Sequence, residues 1–131
     1  MKFFFDNTAS IKIAHAISLF CGVEPSVEKV IHLQDRWRPD TDDKVWIPEL
    51  AREGGWAIIS GDRFRKSERK IFIDAKLTTF FYSRALANAK LWEQAHRVIR
   101  YWPAIMEATA LVEPGALFEI PFRLSGRFKP L

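Results

Sequence analysis

Apolar and polar positions along this chain follow two periods in turn. Short apolar runs rich in β-branched and aromatic residues predict strands at residues 2–5, 29–33, 56–59 and 78–82. Between the first three runs, apolar residues recur at helical spacing. One predicted helix is capped by Asn7 or Thr8 and runs to Phe20; the other begins near Asp42 or Asp43 and ends at Gly54. Strands that alternate with helices predict a mainly parallel sheet covered by helices on both faces.

The pattern after residue 70 is less regular. Residues 71–73 suit either a helix or a short strand, and residues 85–101 form an amphipathic helix that Pro103 is expected to interrupt before a continuation to residue 111. Residues 116–122 predict an edge strand, because Pro121 cannot donate to a neighbouring strand. The basic tail, residues 123–131, is expected to be loose. The predicted buried side of the amphipathic helix over residues 85–101 consists of Leu91, Ala95, Val98 and Ile99.

Composition places this pattern in one domain. A chain of 131 residues with 48% hydrophobic content can close a single core, so residues 1–131 are predicted to form one domain. The 11 Phe and 5 Trp residues are expected mainly in that core, with a part available for an interface such as a homodimer face. The single Cys21 and the absence of a secretory leader after Met1 predict a reducing, cytoplasmic location. No apolar stretch approaches the roughly 20 residues of a membrane-spanning helix.

Two aspartates follow apolar strand-like runs. Asp6 comes directly after the first run, and Asp62 comes shortly after the third. Parallel α/β sheets bind ligands at the carboxyl ends of their strands, so neighbouring strands would bring both carboxylates to one cleft. Carboxylates held close together repel one another and need a proton or a divalent cation between them. A Mg²⁺ or Mn²⁺ site is therefore the first hypothesis, since hard oxygen ligands favour these ions.

Charge is unevenly distributed along the chain, although the net charge is only +4. Acidic residues gather between positions 35 and 43, and the cations Arg63, Arg65 and Lys66 follow Asp62. A basic rim beside an acidic focus suits a polyanion held by its phosphates. A solvated loop is the alternative interpretation of the same basic stretch.

Several segments resemble a PIN-like domain, and more narrowly the compact VapC-type toxins. They are Lys2-Phe3-Phe4-Phe5-Asp6-Asn7, Asp43-Lys44-Val45-Trp46-Ile47-Pro48-Glu49-Leu50-Ala51 and Gly55-Trp56-Ala57-Ile58-Ile59-Ser60-Gly61-Asp62. The resemblance implies a three-layer α/β/α sandwich in which acids around Mg²⁺ or Mn²⁺ hydrolyse RNA. It assigns Asp6, Asp43 and Asp62 to the metal and makes Glu68 the candidate fourth catalytic acid, with Asp74 behind it. It also implies a cognate antitoxin protein that inserts a segment into the cleft.

Each proposed acid also has a structural alternative. Asp6 could cap the following helix, and Asp62 could stabilise a tight turn with Gly61. Either Asp42 or Asp43 could be the helix cap, which leaves the other for the cleft; the resemblance selects Asp43 for the cleft. Glu68 could form a solvated ion pair with Arg65 or Lys66. A PIN-like module that lacks the fourth acid, and binds RNA or a protein without cleaving, is the alternative function.

Overall fold

The computed structural model describes residues 1–62 and 64–131, and its centre is a six-stranded sheet. The strands are β1 (Lys2–Phe5), β2 (Lys29–His32), β3 (Trp56–Ser60), β4 (Thr78–Tyr82), β5 (Leu117–Ile120) and β6 (Lys129–Pro130). The α-helices are α1 (Ile11–Phe20), α2 (Asp43–Glu53), α3 (Lys70–Asp74), α4 (Arg84–Ala87) and α5 (Leu91–Leu111). Short 3₁₀ helices occupy Cys21–Val23 and Leu33–Asp35.

The order of the strands places a crevice beside β1. The sheet runs β2-β1-β3-β4-β5-β6; the first five strands are parallel, and only β6 is antiparallel. The chain passes from β1 outward to β2 and then returns across β1 to β3. The direction of winding therefore reverses between β1 and β3, and open α/β sheets bind ligands at the carboxyl ends of the strands at such a point.

Helices cover both faces of the sheet, so the predicted three-layer α/β/α sandwich with a mainly parallel sheet is confirmed. Alternate strand residues point to opposite faces: Phe3 and Phe5 pack toward α1, α4 and α5, whereas Phe4 packs toward α2 and α3. In β4, Phe80 likewise packs on the side of α1, α4 and α5, and Phe81 packs on the side of α2 and α3. Most of the Phe surplus is thus core, as expected. No helix among the described residues is long and apolar enough to cross a membrane.

The first helix begins later than its polar residues suggested. Ser10, and not Asn7 or Thr8, is the N-cap of α1, and its hydroxyl accepts a hydrogen bond from the Lys12 N–H at 3.2 Å. The prediction failed because three candidates for a cap, Asn7, Thr8 and Ser10, lie within four residues before the helix, and the side chain of Thr8 bonds Asp6 and Gly61 instead.

The long amphipathic segment near the C-terminus forms two helices, and Pro103 does not interrupt the second. α5 continues through this proline. Pro103 is exposed, so the carbonyl group deprived of its helical partner can lie on the solvent side. The predicted buried side is also shifted: Val98 is buried, but Leu91 and Ile99 are exposed, because docking on the sheet selects Tyr101, Trp102 and Ile105. Val45 of α2 is also exposed.

The last strands differ from the prediction as well. β5 is not an edge strand, because β6 pairs with it through Phe118–Pro130 and Glu119–Lys129. The tail is held by Phe128, whose ring lies 5.4 Å from that of Phe80 and 6.3 Å from that of Phe118. Strand pairing and an aromatic anchor together hold a tail that its charge alone predicted to be loose.

Candidate functional site

Asp6 lies at the carboxyl end of β1, at the point where the winding of the sheet reverses. Only 3% of the residue is exposed, and its backbone N–H donates to the Ile59 carbonyl of β3 at 3.0 Å. Its Oδ1 atom accepts a hydrogen bond from the Thr8 N–H at 3.0 Å and another from the Thr8 hydroxyl. Asp6 therefore does not cap α1; it is a buried carboxylate held by the turn that follows it.

Burial changes the acidity of this carboxyl group. Loss of solvent raises the pKa of Asp6 to about 6, although hydrogen bonds from Ser60 and Thr8 oppose the change, and the charge of Asp43 raises the pKa further. Near neutral pH the group is thus close to its titration range, which is the situation expected of a carboxylate crowded by another acid in a partly dry site.

Thr8 joins the end of β1 to the end of β3. Its hydroxyl accepts a hydrogen bond from the Gly61 N–H at 2.9 Å and lies 3.4 Å from the Ser60 hydroxyl. The two turns approach so closely that a Cβ atom on Gly61 would lie 2.5 Å from the Thr8 carbonyl oxygen. Position 61 therefore requires glycine because of backbone contact. Our sequence analysis did not identify this role of Thr8, although its position two residues after Asp6 is the usual spacing of an Asx turn.

The start of α2 separates the roles of the two adjacent aspartates. Asp42 is the N-cap, and its side chain accepts from the Lys44 N–H at 2.8 Å. Asp43 is half-buried, and its Oδ1 accepts from the indole N–H of Trp46 at 3.0 Å. Burial raises the pKa of Asp43; the Trp46 hydrogen bond lowers it, and the charges of Asp42, Asp62 and Glu68 raise it again. The pKa of Asp43 is thus raised by the charges of three neighbouring acids.

Asp62 and Glu68 are exposed and belong to the segment after β3. Ser60 bonds both the N–H and the carbonyl group of Asp62, at 3.2 and 3.1 Å. The Oδ1 of Asp62 accepts from the Phe64 N–H at 3.0 Å, so this side chain does stabilise a turn. Glu68 accepts from the Arg65 N–H at 3.4 Å. Asp74 forms an exposed ion pair with Lys70 at 2.7 Å.

The charges of the four proposed acids influence one another, but their side chains do not converge on one point. These acids are Asp6, Asp43, Asp62 and Glu68. Among the described residues, no group of three or more His, Cys, Asp or Glu side chains is arranged to hold a metal ion. The donors available near Asp43 are nonetheless carboxylate oxygens, which suit Mg²⁺ and Mn²⁺. Mg²⁺ usually retains several waters and uses only one or two carboxylates, so the chemistry of these residues fits such an ion.

A shallow cavity of about 310 Å³ opens beside Asp43. It is lined by Asp42, Asp43, Lys44, Phe64, Ser67, Glu68 and Ile71. Arg65 and Lys66, two of the predicted RNA contacts, are exposed in the same segment. The third, Arg63, lies outside the described residues. Phe64 has a left-handed backbone (φ 50°), and its ring contacts Phe72 and Phe81. Phe64 therefore anchors the basic stretch to the core on the α2 and α3 side of the sheet.

A buried histidine supports the Asp6 turn from the β2 side. His32 is fully buried; its Nδ1 accepts from the Gln34 N–H at 3.1 Å, which leaves Nε2 to donate to the Ala9 carbonyl at 2.8 Å. Burial lowers the pKa of His32, while the hydrogen bond to Ala9 opposes that change. A neutral imidazole thus links the ends of β1 and β2. The sequence offered no signal for this role, because His32 lies 23 residues from its partner.

Comparison with known proteins adds one match. A family model described as a PIN-like domain matches residues 1–84, which contain β1 to β4 and the four proposed acids. No curated protein and no solved structure matches the chain. PIN-like domains are often nucleases, and the fold is of nuclease type. The match covers more than half of the chain, and the chain therefore belongs to the PIN-like domain family.

Proposed function

We propose that this protein is a metal-dependent endoribonuclease, with its active site at the carboxyl ends of β1 and β3. The observation that best supports the proposal is the environment of Asp6. A fully buried carboxylate with a pKa of about 6, within electrostatic reach of Asp43, occupies the crevice in which this type of sheet binds ligands. A structural role alone gives little reason to bury an acid beside another acid.

In this proposal Asp6, Asp43 and Asp62 hold Mg²⁺ or Mn²⁺, and Glu68 contributes through water. The bound ion would supply Lewis-acid stabilisation of the charge that develops on the phosphate during hydrolysis. Thr8 fixes one oxygen of Asp6, and Trp46 fixes one oxygen of Asp43. These hydrogen bonds orient the two carboxylates before a substrate arrives, which reduces the reorganisation needed during reaction.

The substrate in this proposal is RNA, held by Arg63, Arg65 and Lys66 through its phosphates. Arg65 and Lys66 are exposed near the cavity beside Asp43, which supports this assignment. Replacing all three with Ala should reduce the dependence of RNA affinity on salt concentration, because fewer counterions are released on binding. An unchanged salt dependence would place the phosphate contacts elsewhere.

We further propose that the protein is the toxin-like component of a bacterial toxin–antitoxin pair. A cognate antitoxin would then block the cleft by inserting a segment beside Asp43. The resemblance to VapC-type toxins motivates this step, and the neighbouring reading frame tests it: a short gene with a DNA-binding pattern supports the pair, and its absence contradicts it.

A binding module without catalysis is the second candidate. It is favoured by the exposure of Glu68 and by the lack of a converging group of three metal ligands among the described residues. Such a module would hold RNA or a protein at the same cleft, and RNA binding without cleavage would distinguish it from the nuclease.

Cleavage of single-stranded RNA in the presence of Mn²⁺ or Mg²⁺ tests the main proposal. Cleavage should require the ion, and Asp6→Asn and Asp43→Asn should each reduce the rate by about 100-fold or more, since each removes a charge that the transition state requires. Asp40→Asn is the matched control, because Asp40 is an exposed aspartate that pairs with Arg38 at 3.7 Å outside the site. Its rate should equal that of the parent.

Calorimetry with Mn²⁺ should show weaker binding to Asp6→Asn than to the parent. If the parent binds the ion and RNA but does not cleave, the binding module replaces the nuclease. If Asp6→Asn cleaves as well as the parent, the proposed site is wrong.

A further inference from the structure

A larger cavity borders the acidic cleft on the side of β2. Its volume is about 690 Å³, compared with about 310 Å³ for the cavity beside Asp43. Trp37, in the segment between β2 and α2, lies in its wall and is half-buried. Asp42, the N-cap of α2, lines both cavities. The two cavities are therefore adjacent, and together they extend from the acids to Trp37.

The core fixes the position of Trp37 relative to the acids. Its ring lies 6.0 Å from the ring of the fully buried Phe4, at an interplanar angle of 75°. Phe4 stacks on Trp46 at 4.8 Å, and the Trp46 indole N–H donates to Asp43 at 3.0 Å. An unbroken series of contacts thus connects Trp37 to a carboxylate of the proposed metal site. Close packing in the core transmits little movement, so the distance between the two is set before a substrate binds.

Arg36 adds a planar cation to Trp37. Its guanidinium carbon lies 4.4 Å from the centre of the Trp37 ring. Glu53 of α2 accepts two hydrogen bonds from this guanidinium, one of them 2.9 Å long, and accepts another from Trp56 at 2.9 Å. The guanidinium plane is therefore held in place beside the indole. Aromatic rings and Arg guanidinium planes are the surfaces on which proteins stack unpaired RNA bases.

The charges of this larger cavity favour a neutral base over a phosphate. Asp35 and Asp42 both bring a carboxylate to its wall. The two cations in the wall, Arg36 and Arg38, each have a carboxylate partner. A phosphate would therefore meet negative charge that no free cation offsets, whereas an uncharged base would not.

We propose that this cavity is a base-binding subsite, in which one unpaired base of an RNA strand stacks on the Arg36–Trp37 pair. A phosphate of the same strand then lies at the acids. This inference rests on the proposed RNA-cleaving function, because it assigns the nucleotide that lies on the β2 side of the cleft. Stacking uses the π-face that every base has, so the subsite accepts any base. Bases inside a duplex are already paired and stacked, and the subsite therefore selects single strands.

Fluorescence anisotropy with a short single-stranded RNA tests the subsite, in a chelator that prevents metal-dependent cleavage. Trp37→Leu should weaken the affinity about 10-fold, the usual effect of removing one stacking ring. Trp37→Phe retains a ring and should weaken the affinity by less than about 3-fold. A duplex of the same sequence should bind the parent and Trp37→Leu equally, because its bases do not reach the ring.

A chain of abasic ribose phosphates of the same length is the matched ligand. It carries the same phosphates as the RNA and no bases, so electrostatic contacts are retained and stacking is lost. The parent should bind it about 10-fold more weakly than the RNA. Both Trp37 variants should bind it as the parent does, which also shows that they are folded.

Phe122→Leu is the matched control variant. The guanidinium of Arg97 lies 3.9 Å from the centre of the Phe122 ring, so this is a second pair of an arginine on an aromatic ring. Phe122 packs on the α1, α4 and α5 side of the sheet, whereas Trp37 packs on the side of α2 and α3. The affinity of this variant for RNA should equal that of the parent.

Three results would overturn the subsite. They are an unchanged RNA affinity in Trp37→Leu, a parent that binds the abasic chain as tightly as the RNA, and an equal loss for RNA and abasic chain in both Trp37 variants. If RNA is cleaved with Mn²⁺ and Trp37 has no effect, the nuclease remains without this subsite. If binding depends on the bases and on Trp37 but no cleavage occurs, the subsite remains and the nuclease fails. A parent that binds no RNA contradicts both.

Discussion

The turns after β1 and β3 both contain an aspartate of the proposed site, but one aspartate is buried and the other is exposed. Asp6 follows the last residue of its strand and is 3% exposed, with a pKa raised by burial to about 6. Asp62 is separated from its strand by Gly61 and is exposed, with one oxygen bound to the Phe64 N–H. One added residue at the end of a strand thus decides whether a carboxylate faces the core or the solvent.

This difference indicates separate contributions to the cleft. The β1 turn provides a fixed and desolvated acid, whose orientation depends on Thr8 and on the close approach of Gly61. The β3 turn provides an accessible acid that continues into the basic segment. A site that must exclude water at one point and admit a large polyanion at another is served by such a pair.

The largest expected effect on stability comes from a substitution that forces the turns after β1 and β3 apart. Gly61→Ala should lower the free energy of unfolding by about 3 kcal/mol, because the new Cβ would overlap backbone atoms of Thr8 that cannot move independently. Gly22→Ala is the control, since a Cβ there meets nothing within 4 Å. Urea denaturation of both variants measures the difference. Equal stabilities would mean that the turns are not in close contact.

A smaller effect should distinguish Asp6 from Asp62 through the pH dependence of the free energy of unfolding. The pKa of Asp6 in the folded protein, about 6, exceeds the ordinary value of 3.8, so the folded state holds its proton more strongly than the unfolded state. The cost of the buried charge is therefore fully present above about pH 6 and is relieved as the pH falls toward 4. Without metal, this contribution should raise stability by about 2 kcal/mol over that range.

Two variants isolate this contribution. Asp6→Asn should remove it from the pH profile and be more stable than the parent at pH 7 in a chelator, by about 2 kcal/mol. Asp62→Asn should change stability at pH 7 by less than about 0.5 kcal/mol, as is usual for an exposed site. Urea titrations at several pH values give both quantities. A parent profile that coincides with that of Asp6→Asn would show that the Asp6 carboxylate is not desolvated.

The smallest effect concerns the hydroxyl that joins the turns. Thr8→Val should destabilise the protein by about 1 kcal/mol, because the Gly61 N–H and one oxygen of Asp6 each lose a partner. It should also move the Asp6 transition in the pH profile to higher pH, since a hydrogen bond to the charged form is removed. Thr8→Ser retains the hydroxyl and should behave like the parent. A Val variant with an unshifted transition would contradict this role of Thr8.

The sequence by itself determined the first four strands and the three-layer arrangement. The apolar runs at residues 2–5 and 78–82 coincide with β1 and β4, because a strand buried on both faces needs a continuous apolar segment. The positions of Asp6 and Asp62 at strand ends were also evident, since strand boundaries locate them. The resemblance to the PIN-like family rested on these same segments, and the family match confirmed it.

Only the tertiary structure decided which partners complete those local patterns. The hydroxyl of Thr8 bonds Gly61, 53 residues away, and His32 bonds the turn that contains Ala9. Such contacts depend on strand order, which a one-dimensional pattern does not encode. The same reason explains the errors at α5 and β6: amphipathic spacing defines a face within a helix, but packing on the sheet decides which face is buried. The exposure of Leu91 and Ile99 on α5 became visible only when that choice was known.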